Sequence, residues 1–134
     1  MNANDFFKTL NFKESWITGK ADPEMVAFAE KAGRFMAENN LTNSKIRNIY
    51  GEIKRIQMSD FEVSKPSFYL LKPKVAYALG REIQKNKFQA EGLTLFKLIF
   101  DRVFAHVTDN QTYSNFCNLI EAILAYHKAS GGKD

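Results

Sequence analysis

Residues 71–85, LKPKVAYALGREIQK, place two different faces on one predicted helix. At 100° per residue, Val75, Leu79 and Ile83 recur every four positions and form an apolar stripe. A second line on the same helix, at i, i+4, i+7 and i+11, holds three cations, one alanine and no acid: Lys74, Ala78, Arg81 and Lys85. The first stripe predicts a face that packs, and the second predicts a face that presents positive charge to a partner.

The sequence is compatible with two starting points for this helix, because Pro73 allows two interpretations. Pro73 either occupies the first turn of a helix that begins near Lys72, or it kinks a longer helix that begins near Phe68. The position of Lys72 relative to the basic line depends on which is correct. Upstream, residues 58–67 contain serines, an aspartate and a proline, a pattern that predicts a linker.

Four further amphipathic segments predict helices, and the whole chain is expected to be all-α. Asp22, Pro23 and Glu24 form a good helix start, with a capping acid before proline in the first position. The predicted segments begin near residues 22, 42, 88 and 110 and end near residues 39, 57, 107 and 129. Only three prolines and seven glycines occur in 134 residues, which favours a single compact bundle of about five helices.

Residues 1–21 differ from the rest because their aromatic and apolar side chains follow no sustained period and Gly19 interrupts them. We interpret them as a partly ordered N-terminal arm preceding a helical bundle domain at 22–134. The arm's aromatics either dock on the bundle or a neighbouring molecule, or the arm is a loose terminus.

The residues that usually carry chemistry are few and isolated. The single cysteine, Cys117, lies in an apolar run and is expected to be a buried small hydrophobe. His106 and His127 lack partners at the spacing of metal ligands. We therefore predict no catalytic residue, no metal, no cofactor and no enzyme activity. The absence of a signal peptide and of a long apolar run predicts a cytoplasmic protein that does not enter a membrane.

Positive charge is the strongest functional signal in the sequence. The formal net charge is +4, and the second predicted helix adds Arg47, Lys54 and Arg55 to the cations of residues 74–85. Two such helices form a continuous strip if they lie side by side, and lysine and arginine in a strip neutralise phosphates. The alternative is a solvated surface. Gly51, between these cations, lets either a nucleic-acid backbone or a neighbouring helix come close.

Three motifs in order point to a known family. They are Thr42-x-Ser44-Lys45-Ile46-Arg47, then Leu71-Lys72-Pro73-Lys74-Val75-Ala76-Tyr77-x-x-Gly80-Arg81, then Phe116-x-x-Leu119-Ile120-Glu121-Ala122-x-x-Ala125-Tyr126-His127-Lys128 followed by Gly131-Gly132-Lys133-Asp134. Over roughly residues 24–134 the chain resembles the small subunit of the Csm complex, the type III-A CRISPR interference effector.

The resemblance implies a non-catalytic helical subunit, of which several copies stack beside the backbone subunits and the large subunit. Its expected ligands are the guide RNA and the target RNA, contacted through the backbone with little sequence preference. The motifs assign this contact to five cations: Lys45, Arg47, Lys74, Arg81 and Lys128. Helical spacing adds three more: Lys54, Arg55 and Lys85. The alternative is a helical protein–protein adaptor that does not touch nucleic acid.

Overall fold

Seven α-helices and one 3₁₀ turn form the chain in a computed structural model that describes all 134 residues. The helices are α1 (Ala3–Thr9), α2 (Ser15–Thr18), α3 (Pro23–Glu38), α4 (Asn43–Gln57), α5 (Phe61–Asn86), α6 (Glu91–Phe104) and α7 (Asn110–Ala129), with the 3₁₀ turn at Lys87–Gln89. No strand is present. The all-α prediction is confirmed, and the five long helices α3–α7 correspond to the five predicted ones.

The core is built around the packing of α3 against α7. Gly33 on α3 permits the close approach, since a Cβ atom there would lie 2.5 Å from the carbonyl oxygen of Ile123 on α7. A cluster of aromatic rings fills the space between α5, α6 and α7. The Phe68 ring stacks on Phe104 at 4.5 Å between centroids, and Phe61 stacks on Tyr113 at 5.0 Å. These contacts fix α5 to the rest of the bundle.

Helix α5 begins earlier than predicted, so the expected linker at 58–67 is wrong. The Asp60 side chain caps the helix by accepting a hydrogen bond from the Glu62 amide, and the chain stays helical through Pro66 and Pro73. Each proline removes one backbone donor. Burial of Phe61 and Phe68 offsets this cost, and both proline rings lie on exposed positions. Pro73 is therefore inside the helix rather than at its start.

The predicted apolar stripe of α5 is buried only in part. Val75 is fully buried, Leu79 is half-buried, and 46% of Ile83 is exposed. Burial decreases along the helix because its C-terminal turns extend past the aromatic cluster. This end of α5 lies instead beside the start of α4, to which Lys45 and Glu82 connect it.

The starts of α3, α4 and α7 are capped partly by local side chains and partly by tertiary contacts. Asp22 caps α3, as predicted, and Asp109 caps α7, each by accepting a backbone amide hydrogen bond. Thr42 stands at the cap of α4 but makes no side-chain capping bond. The Asn43 amide donates instead to the carbonyl of Lys133, at 2.9 Å, so the C-terminal segment covers the start of α4.

The same segment closes over His127. The ring is fully buried, and its Nε2 lies 2.6 Å from the carbonyl oxygen of Leu41. Gly132 sits against the ring, and a Cβ atom there would come within 2.2 Å of it. His127 is thus a core residue that joins α7 to the α3–α4 connection.

Residues 1–21 contain α1 and α2, both packed on the bundle. Trp16 and Ile17 are almost completely buried, and the Trp16 indole donates to the Asp22 carboxylate at 2.9 Å. The Asn115 side chain of α7 donates to the carbonyl oxygen of Ile17 at 2.8 Å. The Phe6 ring stacks on Phe35 of α3. The arm's aromatics therefore contact the bundle of their own chain.

Candidate nucleic-acid interface

A groove of about 960 Å³ runs between α4 and α5. Its walls carry five of the eight predicted cations: Lys45, Arg55, Lys74, Arg81 and Lys85. Two acids, Glu52 and Glu82, also line it, so the formal charge of the lining is +3. The whole chain carries +4, which leaves +1 for all remaining residues. Positive charge is therefore concentrated at one place on an otherwise nearly neutral protein.

The groove forms because α4 and α5 are consecutive antiparallel helices whose basic faces meet on one side. On α5, two helical turns separate Lys74 from Arg81, about 10.5 Å along the axis. Lys85 continues the same line for one more turn. None of these three cations forms an ion pair within the chain. Their charges remain available to an external anion.

The two cations that α4 contributes are already engaged. Lys45 Nζ lies 3.1 Å from a Glu82 carboxylate oxygen and also donates to the carbonyl of Asn40 at 2.8 Å. Arg55 pairs with Glu52 one turn earlier on the same helix. Three-quarters of the Arg55 side chain is exposed, so this pair is open to solvent and to competing anions.

The other three predicted cations lie away from the groove, towards α7 and the C-terminal segment. Lys54 pairs with Glu121 at 3.0 Å, and this hydrogen bond raises the pKa of Lys54. Lys128 lies 3.4 Å from Asp134. The pKa of the Asp134 carboxyl is lowered chiefly by the hydrogen bond from Asn43 and next by the contact with Lys128. The nearby positive charge of Arg47 lowers it a little further.

The predicted strip thus divides into two surfaces, one in the groove and one beside α7. Consecutive helical residues point 100° apart, so Lys54 and Arg55 face different neighbours. Lys72 points away from the basic line of α5, because its Nζ lies over the Phe104 ring of α6 at 5.4 Å from the centroid. It does not line the groove.

Three uncharged polar residues outside the predicted set of cations also line the groove: Ser44, Asn48 and Tyr77. Tyr77 stands three residues after Lys74 and four before Arg81, spacings that place side chains next to each other on a helix. That spacing was available from the sequence. The contribution of Asn48 was not, because it depends on how α4 lies against α5.

The remaining reactive groups are used structurally. Burial raises the pKa of the Cys117 thiol to about 11, so the thiol is protonated at neutral pH. No three His, Cys, Asp or Glu side chains lie together in a way that would hold a metal ion. None of the helices is both long enough and apolar enough to span a membrane.

A comparison with protein-family models assigns the chain to a family. The family model described as Csm2 Type III-A matches residues 20–133, which includes every helix that lines the groove. The chain belongs to the Csm2 type III-A family. No curated protein and no solved structure matches it.

Csm2 is the small subunit of the Csm complex, the type III-A CRISPR effector, so the resemblance drawn from the three motifs is confirmed. The family is a non-catalytic structural subunit, as the resemblance implied. Membership of the complex gives this Csm2 the other Csm subunits and the guide RNA of the complex as assembly partners.

Proposed function

We propose that this Csm2 subunit holds the target RNA and guide RNA of the complex by their backbones, through the basic groove between α4 and α5. The observation that carries the proposal is the +3 charge of the groove lining on a chain of net charge +4. Lys74, Arg81 and Lys85 supply unpaired cations, and Lys45 and Arg55 border them. We place this activity in the cytoplasm.

The physical basis is counterion release. Each phosphate that a lysine or arginine neutralises frees condensed cations into the solution. Added salt opposes this release, so each contact on a single strand lowers the logarithm of the binding constant by about 0.7 per tenfold rise in salt. Base pairing with the guide supplies sequence specificity, so the protein needs only to recognise the shape and charge of the backbone. One subunit with about three free cations should bind RNA weakly.

Stacked copies of the subunit would overcome this weakness. When neighbouring subunits hold one strand, each additional contact becomes intramolecular and benefits from a high effective concentration. We propose that copies of Csm2 line up along the RNA beside the backbone and large subunits. Arg47, Lys54 and Lys128, which lie outside the groove, are then placed for a second RNA segment or an acidic protein neighbour.

The match to the family supports the proposed division of the chain. It begins at residue 20, close to the boundary between the N-terminal arm at 1–21 and the bundle domain at 22–134. The groove lies wholly within the bundle domain. We propose that the arm stabilises the bundle and takes no part in RNA contact.

The test compares two triple variants with equal change in charge. Lys74→Ala/Arg81→Ala/Lys85→Ala removes the free cations of the groove, whereas Lys8→Ala/Lys20→Ala/Lys31→Ala removes three exposed lysines elsewhere. Binding of a fluorescent single-stranded RNA is measured from low to moderate salt. The groove variant should lose affinity, and its log–log salt slope should flatten by about 2. The control variant should bind nearly as the parent does.

Equal losses in the two variants would show that only net charge matters, and the proposal would be wrong. Circular dichroism must show that both variants keep the helical content of the parent. The same groove variant, incorporated into the complete Csm complex, should also release target RNA at lower salt. Unchanged retention there would contradict the role of the groove in the assembly.

A protein–protein adaptor is the second candidate, and exposed apolar side chains on α5 favour it. Val63, Leu70 and Tyr77 are spaced seven residues apart, on one face, and are 78%, 56% and 69% exposed. Such a stripe is typical of a contact with another helix. If the adaptor function is the correct one, Leu70→Glu should block assembly of the complex, and the groove variant should assemble and retain RNA normally.

A further inference from the structure

We propose that Tyr77 is a base-stacking residue, and that the groove between α4 and α5 takes an unpaired nucleotide with its phosphates on Lys74 and Arg81. This inference rests on the proposed RNA contact and adds to it. Backbone recognition alone requires only cations, whereas the groove also offers an exposed ring, apolar surface and an unused amide.

The Tyr77 ring is free for a planar ligand. It is 69% exposed, and it packs on none of the other aromatic rings of the chain. Nearly all other large aromatic side chains are wholly or partly buried. An aromatic ring left open inside a basic groove is what proteins use to stack nucleic-acid bases, because every base presents a π face.

The neighbours of Tyr77 suit the rest of a nucleotide. Lys74 and Arg81 flank it on the same helix at i−3 and i+4, about 10.5 Å apart along the axis. Phosphates on either side of a base at Tyr77 would therefore each meet a cation that has no partner within the chain. Across the groove, the side-chain amide of Asn48 forms no hydrogen bond and is exposed. It can donate to or accept from a base edge.

The groove also has an apolar part that a base can cover. Ile49, Pro73 and Ala78 line it together with the cations. A regular duplex keeps its bases stacked on one another, so only an unpaired base reaches a side chain in this way. The ligand class is accordingly single-stranded RNA, or an unpaired nucleotide within a longer RNA.

The test uses Tyr77→Ala and Tyr77→Phe in the full chain, with Tyr69→Ala as the matched control. Tyr69 lies on the same helix, is 56% exposed and does not line the groove. The probes are a short single-stranded RNA, a duplex of the same sequence, and inorganic polyphosphate, which carries charge but no base. A 2-aminopurine in the single strand reports stacking by loss of fluorescence.

Tyr77→Ala should weaken single-strand binding at least about fivefold, the lower end of what one aromatic–base stack contributes. The salt slope should not change, because no charge is removed. Polyphosphate and duplex binding should stay within twofold of the parent, and 2-aminopurine quenching should disappear. Tyr77→Phe and Tyr69→Ala should behave as the parent does.

Unchanged single-strand affinity in Tyr77→Ala would overturn the inference, and reduced assembly of the Csm complex in the same variant would show a protein contact instead. Equal weakening for RNA and polyphosphate would also overturn it, since that result indicates a distorted groove. Failure of the proposed function is a different result, in which the triple cation variant leaves RNA binding unchanged.

Discussion

The Nζ atom of Lys45 lies 3.1 Å from a carboxylate oxygen of Glu82, an ion pair that joins the first turn of α4 to the last turns of α5. Only 20% and 15% of the two side chains are exposed. The pair closes one end of the basic groove. It also places an acid in the groove, where Glu82 reduces the attraction for phosphate.

This relationship predicts opposite effects of Glu82→Gln on stability and on RNA binding. Loss of this mostly buried ion pair should lower the free energy of unfolding by roughly 1 kcal/mol. The groove lining should become more positive by one charge, so the affinity for single-stranded RNA should rise at low salt and the rise should fade as salt increases. Urea denaturation and RNA titration at two salt concentrations measure the two effects.

Glu30→Gln is the control, because it also removes one acid. Its partner Arg34 lies 3.8 Å away, and both side chains are at least half exposed, so little stability should be lost. RNA affinity should stay close to that of the parent. A rise in affinity equal to that of Glu82→Gln would mean that net charge, rather than charge in the groove, governs binding.

Two glycines inside helices predict stability changes of opposite sign. In Gly33→Ala the new methyl group would lie 2.5 Å from the Ile123 carbonyl oxygen, and α3 would have to move from α7. A loss of about 2 kcal/mol or more is expected. Gly51→Ala meets nothing within 4 Å and should gain roughly 0.5 to 1 kcal/mol from better helix propensity. Chemical denaturation of both variants measures the difference.

Gly51→Ala also tests the close backbone approach that the sequence predicts at this position. No helix of the same chain comes near it, so any close backbone there must belong to a partner. If Gly51→Ala stabilises the free chain but weakens the Csm complex, a partner backbone contacts this position. Stabilisation without an effect on the complex would mean that the glycine is not used for close approach.

The parts of the fold that could be predicted are those that local sequence controls. Asp22 and Asp109 set the starts of α3 and α7 because a capping side chain acts on amides only a few residues away. The start of α5 also has a capping acid, Asp60, but serine and proline signals before Phe68 favour a linker over a helix. The burial of Phe61 against Tyr113 adds the tertiary contact that keeps this segment helical.

The residues of the site likewise fall into those that local sequence places and those that depend on tertiary contacts. The cations of α5 follow from helical spacing alone, because Lys74, Arg81 and Lys85 lie on one helix and need no neighbour to be placed together. Helical spacing also turns Lys54 away from Arg55, but the ion pair that occupies Lys54 depends on α7, which supplies Glu121. Tertiary packing therefore decides which cations remain available.

The buried thiol of Cys117 predicts a loss of stability in alkali. Burial raises its pKa to about 11 from the ordinary value of 9.0, so the unfolded chain loses this proton at lower pH than the folded chain does. The stabilising contribution is complete below about pH 9 and declines as pH rises to about 11, by at most about 1.4 kcal/mol per pH unit. Burial also raises the pKa of the neighbouring Tyr113 hydroxyl, which acts in the same direction.

The measurement is urea denaturation at pH 8, 9, 10 and 11 under reducing conditions, for the parent and for Cys117→Ala. Lysines deprotonate in the same range in both proteins, so the informative quantity is the difference between their pH slopes. The variant should be less stable at pH 8, where it lacks a buried side chain, and should lose less stability between pH 9 and 11. Parallel curves would show that the Cys117 thiol ionises as easily in the folded chain as in the unfolded one, which full burial against Tyr113 does not allow.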